Sequence, residues 1–395
     1  MVSGEEGAAA DRVHLAGLCR RFGVAEPPAG ANHFFQDFGD FRMKWERHAE
    51  FCTYTFYRRG PFSDPFADPA VASVPTDWLE NLPGSRLVAI NAAFMKGQSN
   101  IQAPEELGTW FEPEFLAGSQ PADGLAEVWT DFRIHKDGFG RVLVRDRGLR
   151  PRQAGRLAQR LLEIETYRMM ALLALPLARV AGPRVTAVEQ ALADITESLA
   201  RIQSLADEQS LLVRLATLAA ELERFVAANG YRFGAAQAYF GLVERRIVEL
   251  RERRTEGVQT IGEFMERRLV PAMRTCKAVA ERQEAVADRL ARALTLLRTR
   301  VEIGVEAQSR DLLQSMDRRA RQQLRLQQTV EGLSAAAISY YVVGLVAHAI
   351  NGIASFGVPI DPEFGTAIAI PFVIAGVWIG LRRIRRRIDL DRQPT

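Results

Sequence analysis

The sequence predicts an α+β cytoplasmic domain, then a long helical stalk, then a C-terminal two-helix transmembrane hairpin, a chain that is mostly α overall. Three observations predict it. Residues 1–150 contain short runs rich in aromatic, Thr and Val residues, which favour strands. From Gln153 onward apolar residues recur at helical spacing. Between Glu331 and Asp361, and again between Glu363 and Arg382, the chain has no Asp, Glu, Lys or Arg. A helix needs roughly 20 apolar residues to cross a bilayer, and both runs are in that range.

In residues 1–150, Phe41 to Arg58 is dense in aromatic and Thr residues and predicts one or two strands. Pro and Asp punctuate Pro61 to Pro75, a surface loop. Arg86 to Met95 predicts a short apolar strand. Ala126 to Arg145 predicts a hairpin that turns at His135 to Gly140. The Gly138-Phe139-Gly140 pair is turn chemistry, because it lacks the third glycine and following helix of a dinucleotide loop.

Residues 151–330 predict a helical bundle and stalk. Met169 to Ala178 is apolar but too short to span, and it carries Pro176, so it is expected to be a buried core helix. Val188, Leu192, Ile195, Leu199, Ile202 and Leu205 follow 3–4 spacing. Helix breaks are expected near Gly182-Pro183, Asn229-Gly230 and Gly257. A last helix begins near Ile261, with a kink at Pro271. From there to Phe356 an unbroken helix would be about 130 Å long. Its face of Val286, Leu290, Leu294, Leu297, Val301 and Val305 offers a coiled-coil seam for a homo-oligomer.

Residues 331–387 predict the membrane hairpin, with an outer loop at 357–365 and a cytoplasmic tail at 388–395. The loop is too rich in Pro and Gly to continue a helix. Arg318, Arg319, Arg321 and Arg325 precede the hairpin, and Arg382, Arg383, Arg385, Arg386 and Arg387 follow it. The positive-inside rule then puts both termini in the cytoplasm of a cell with this multi-pass protein in its inner membrane. Tyr340, Tyr341 and Trp378 suit the interfacial belts. The acidic N-terminus has no apolar core of a signal peptide, so insertion is expected to depend on the hairpin itself.

Ser334, Ala337, Tyr341, Gly344, His348, Asn351 and Ser355 recur at steps of three and four and share one face of the first membrane helix. Such a polar stripe is either helix-packing glue or a pore wall. Asp361 and Glu363 give the outer loop an acidic tip. In the N-terminal domain, Glu46, His48 and Glu50 alternate along a strand, with Cys52 next. They are candidate metal ligands, and Asp131 with His135 is a second polar pair; a solvated or hydrogen-bonded face is the other reading of each. The three cysteines are far apart and form no C-x-x-C pair, which excludes a Cys-rich zinc site. With 51 Lys and Arg against 48 Asp and Glu, the +3 balance makes no case for nucleic acid. No nucleophile elbow, P-loop or H-E-x-x-H motif is present, and no enzyme activity is expected.

The segments KWERHAEFCTYTF (44–56), TDFRIHKDGFGRVLV (130–144), GRLAQRLLEIETYRMMALLALPLAR (155–179), RRLVPAMRTC (267–276) and RRARQQLRLQQTVEGLSAAAISYYVVGLV (318–346) resemble a membrane-anchored bacterial family, the domain of unknown function 3422. Members often begin with an upstream segment carrying His-Ala-Arg-Pro. This sequence lacks it, so a divergent or misassigned start is expected. The order of domain, stalk, two membrane helices, short loop and basic tail also resembles CorA-type magnesium channels, which are homopentamers lined by their first membrane helix. Their Gly-Met-Asn signature is absent; Asn351-Gly352 and Phe356-Gly357 occupy the comparable region, and Asp361-Pro362-Glu363 stands where their loop has Met-Pro-Glu. That resemblance implies an oligomeric divalent-cation channel or transporter in the lipid bilayer. The alternative is a membrane-anchored cytoplasmic scaffold or sensor without transport activity.

Overall fold

Residues 7–97, 107–202, 204–355 and 362–390 are described in a computed structural model of the chain. By contact the chain divides into Met1–Leu296 and Leu297–Thr395, inside a helix. The reason is in the core of the first unit. Strands and helices there share one apolar cluster, so the change from strand-rich to helical sequence is not a change of core.

The first unit opens with helix α1 (Gly7–Phe22), whose Leu15, Leu18 and Cys19 are fully buried. They pack on a three-stranded antiparallel sheet of β1 (His33–Asp37), β2 (Arg42–Arg47) and β3 (Cys52–Tyr57). Phe41 to Arg58 is thus the end of one strand connection and two full strands. Met43 and Trp45 alternate inward on β2, as period-2 geometry requires, and both are fully buried. Short helix α2 (Thr76–Glu80) closes this core with Trp78, whose indole N–H donates to the His14 carbonyl at 3.0 Å.

The second sheet contains β4 (Ile90–Lys96), β5 (Ala117–Gln120), β6 (Ala126–Thr130), β7 (Gly140–Asp146) and β8 (Arg253–Arg254), in the order β4-β7-β6-β5-β8. The expected hairpin is the β6–β7 pair, in register from Ala126 opposite Asp146 to Thr130 opposite Val142. Among the described strand pairs, β4–β7 alone is parallel. Gly118 faces Trp129 across β5 and β6, and a Cβ there would lie 2.7 Å from the Trp129 Cδ1, so the indole needs the glycine. One face of the sheet, with Trp129 and Leu143, packs on Phe66, Phe111 and Leu116. The other, with Val128, Val142 and Val144, packs on helices.

Those helices are α3 (Pro151–Leu172), α4 (Ala174–Arg201), α5 (Leu205–Leu250) and the start of α6 (Ile261–Ser355). Leu157, Leu161 and Ile164 recur at i, i+4 and i+7 of α3 and bury against the sheet. Arg160, Glu163, Arg246 and Glu249 tie α3 to α5; burial alone would raise the Glu249 pKa, but Arg246 and Arg160 hold it below the usual range. The start of α6 carries a capping box. Thr260 Oγ1 accepts the Glu263 N–H at 3.1 Å, while Glu263 Oε2 accepts the Thr260 N–H at 3.0 Å. The Glu252 carboxylate takes two more free donors, Ile261 N at 3.2 Å and Gly262 N at 2.8 Å.

Two expected breaks do not occur. Gly182-Pro183 lies inside α4 and Asn229-Gly230 inside α5. A mid-helix proline costs about 3 kcal/mol, but Ala181 and Val185 on either side are almost fully buried, and that burial holds the helix. At Asn229 the side-chain Nδ2 donates to the Phe225 carbonyl at 2.8 Å, which turns a usual breaker into a helical brace. The helices part instead at Leu173, near Ile202 and Ser204, and at Arg251, whose φ is +48°. Only the break near Gly257 matches expectation. Pro271 is also internal to α6.

Burial pushes the thiols of Cys19 and Cys52 up to about 11, with nearby Glu26 and Asp11 adding to it, and Cys276 upward too. All three are buried, and none forms a disulfide. The native protein at pH 8 is therefore expected to resist iodoacetamide and to take up three labels only in denaturant. Rapid labelling of folded protein would contradict this core assignment.

In the second unit, no described residue of α6 from 302 to 352 is buried. Helix α7 (Pro362–Leu390) starts with Pro362 and Glu363 in its first turn, a position that suits both the ring and the carboxylate. Three described stretches are long and apolar enough to cross a membrane: Pro151–Arg201, Ile261–Gly352 and Glu363–Gly380. The first turns Met170, Ala171, Ala174 and Ala178 into the core. The apolar windows of the other two have no buried residue.

Candidate functional site

The polar stripe lies on α6. Ser334 Oγ donates to the Val330 carbonyl at 2.8 Å, and His348 Nδ1 is 2.9 Å from the Gly344 carbonyl. Both partners are one turn back on the same helix, so the two side chains satisfy a hydrogen-bonding group without a neighbouring helix. Gly344 therefore supplies the acceptor for His348. Tyr341 is exposed and meets Tyr340 edge-on at 6.0 Å. Asn351 is exposed as well. Of Ser355 only the backbone is described, and Asp361 lies outside the described residues. Glu363 is exposed at the start of α7. At its other end, the Arg382 guanidinium lies 4.8 Å from the Trp378 ring centroid, pairing two residue types that anchor helices at membrane interfaces.

The N-terminal candidates are arranged otherwise than the strand alternation predicts. Strand β2 stops at Arg47 and β3 begins at Cys52, so Glu46, His48, Glu50 and Cys52 straddle a hairpin turn and do not line one strand face. Glu46 pairs with Lys44 at 2.8 Å. Glu50 pairs with Arg232 at 2.6 Å and accepts the Tyr231 hydroxyl at 2.9 Å. His48 stacks on Phe51 at 4.4 Å. Phe51 itself meets Tyr167 of α3 and Tyr239 of α5. These residues dock the hairpin turn on the helices. Among the described residues no group of three or more His, Cys, Asp or Glu side chains can hold a metal ion.

Burial lowers the His48 pKa, outweighing the pull of Glu46 and Glu163 the other way. A depressed His pKa means that the unfolded chain binds more protons, so stability falls as pH drops through about 6.5. His48→Gln is expected to flatten the loss of thermal stability between pH 7.5 and pH 5.5. An unchanged slope in scanning calorimetry would assign that loss elsewhere.

Asp131 has a fully buried side chain. Its Oδ2 accepts the Glu112 N–H at 3.0 Å, its Oδ1 accepts the Arg133 N–H at 3.1 Å, and His135 Nε2 lies 3.0 Å from Oδ2. The pair fixes the turn after β6, where Phe132 takes a φ of +54°. It is structural.

A cavity in the first unit has no precedent in the sequence patterns. It is a half-open cleft of about 1380 Å³ between β3, the loop after it, the approach to β4, and the Ala154–Met170 face of α3. Such a space arises where elements distant in sequence fail to close on each other. No local periodicity reports it.

Residues 1–388 match the model of a family described as "Protein of unknown function (DUF3422)". No curated protein and no solved structure matches the chain, so the likeness to CorA-type channels has no support from similarity.

Proposed function

The chain belongs to the DUF3422 family, and from that premise we propose that it is a membrane-anchored sensor or scaffold whose C-terminal hairpin tethers the N-terminal unit to the cytoplasmic face of the inner membrane. One observation carries the reading. The two apolar helical windows bury nothing within the chain, and the Ser334 and His348 groups of the stripe bond to their own helix. A helix so satisfied can meet lipid without a polar partner. The Arg clusters before and after the hairpin favour cytoplasmic ends.

Reporter fusions after residue 390 are expected to read cytoplasmic, and a reporter at 361 to read external. A C-terminus outside the membrane would overturn the proposal.

The shared face of Ser334, Tyr341, Gly344, His348 and Asn351 favours a second reading, an oligomeric cation channel in which several copies surround one axis. Oxygen ligands such as the Asn351 amide suit hard divalent ions. Vesicles holding the purified chain are expected to pass no magnesium, cobalt, nickel or zinc. Flux that Asn351→Leu abolishes while the oligomer survives would select the channel instead.

A further inference from the structure

We propose that the cavity between β3, β4 and α3 is a binding site for an amphipathic anion, an acyl chain with a carboxylate or phosphate head. The inference does not depend on the membrane reading, because the cavity lies wholly within the first unit. Its walls are of two kinds. Phe56, Leu87, Ile90, Phe94 and Leu162 line it and are each half-buried, so they leave apolar surface facing open space inside a folded unit. Uncovered apolar surface of this extent is costly unless a ligand covers it. Its volume, about 1380 Å³, exceeds the roughly 300–1,000 Å³ of ordinary small-molecule pockets and leaves room for a chain.

The polar wall gives the sign of the ligand. Arg42, Arg58, Arg59 and Arg86 line the cavity, with Asp64, Asp68 and Glu80 as its acids. Arg58 is taken by Asp68, at 2.7 Å, and Asp64 is turned to the Phe66 N–H. Arg42, Arg59 and Arg86 have no carboxylate partner among the described residues, and guanidinium forks suit carboxylate and phosphate oxygens.

The full chain in non-ionic detergent micelles, incubated with a diazirine-bearing palmitate and irradiated, is expected to be labelled on peptides from 51–94 and 151–172. Excess oleate should compete and oleyl alcohol should not. Dioleoyl phosphatidic acid, as a further competitor, distinguishes a phosphate head from a carboxylate. Arg59→Gln combined with Arg86→Gln should cut this labelling about tenfold, and the double Lys variant should retain most of it. Leu162→Trp, which fills the cavity, should abolish it while labelling of the hairpin is unchanged. Labelling confined to the hairpin would overturn the proposal. So would cavity labelling that oleyl alcohol competes equally well, or that survives both the Gln and the Trp variants.

Discussion

Leu345→Arg combined with Ile374→Arg is expected to move the protein from the carbonate-resistant membrane fraction to the soluble fraction. Both side chains are exposed, at 71% and 51%, near the middle of the two uncharged runs. An arginine at the centre of a membrane helix costs about 2.5–3.5 kcal/mol for insertion. Two of them cost about 5–7 kcal/mol, enough to reverse partition of a marginal hairpin. Leu312→Arg is the control, since that exposed position lies before the hairpin and among charges. It should leave the fraction unchanged. If the double variant stays in the membrane, the hairpin is not what holds the chain there.

Asp131→Ala is expected to lower the stability of the first unit by about 3–5 kcal/mol. The substitution strands two backbone donors, Glu112 N and Arg133 N, and removes the partner of His135. Each buried unsatisfied group costs about 1–3 kcal/mol, more when a charge-assisted bond is lost. At roughly 2–4 °C per kcal/mol for a unit of this size, the midpoint should fall by about 10 °C. Asp131→Asn keeps an acceptor and should recover part of the loss. Thermal unfolding followed by tryptophan fluorescence reads it directly, since Trp129 stands two residues away in the same sheet. A shift below about 2 °C would mean that water replaces the carboxylate without cost.

How much of this was legible in the residues differs from place to place. The β6–β7 hairpin and the β2–β3 pair follow from alternation and aromatic content. The start of a helix near Ile261 and the break near Gly257 were legible as well. Helix α1 and strands β1, β5 and β8 were not legible. Helix α1 has only a weak amphipathic pattern, and the three strands are short, at five, four and two residues. Partners far along the chain supply what their own sequence lacks, as when β8 pairs with β5. At the candidate sites, spacing identified which residues share the face of α6. It misjudged Glu46, His48 and Glu50, because strand alternation holds only inside a strand and a turn intervenes.

By itself, the sequence determined the two long uncharged helices near its end, their flanking arginines, and the elements with strong local periodicity. These depend on residues within a turn or two of each other. Tertiary structure alone decided that α4 passes Pro183 and that α5 passes Gly230. It also decided that β4 runs parallel beside β7, that Asp131 is a buried brace, and that a cavity opens beneath β3 and β4. Each of those outcomes sets a local cost, about 3 kcal/mol for an internal proline, against burial and hydrogen bonds contributed by residues far away in the chain. That balance has no local signature, because the atoms that settle it meet only once the chain has folded.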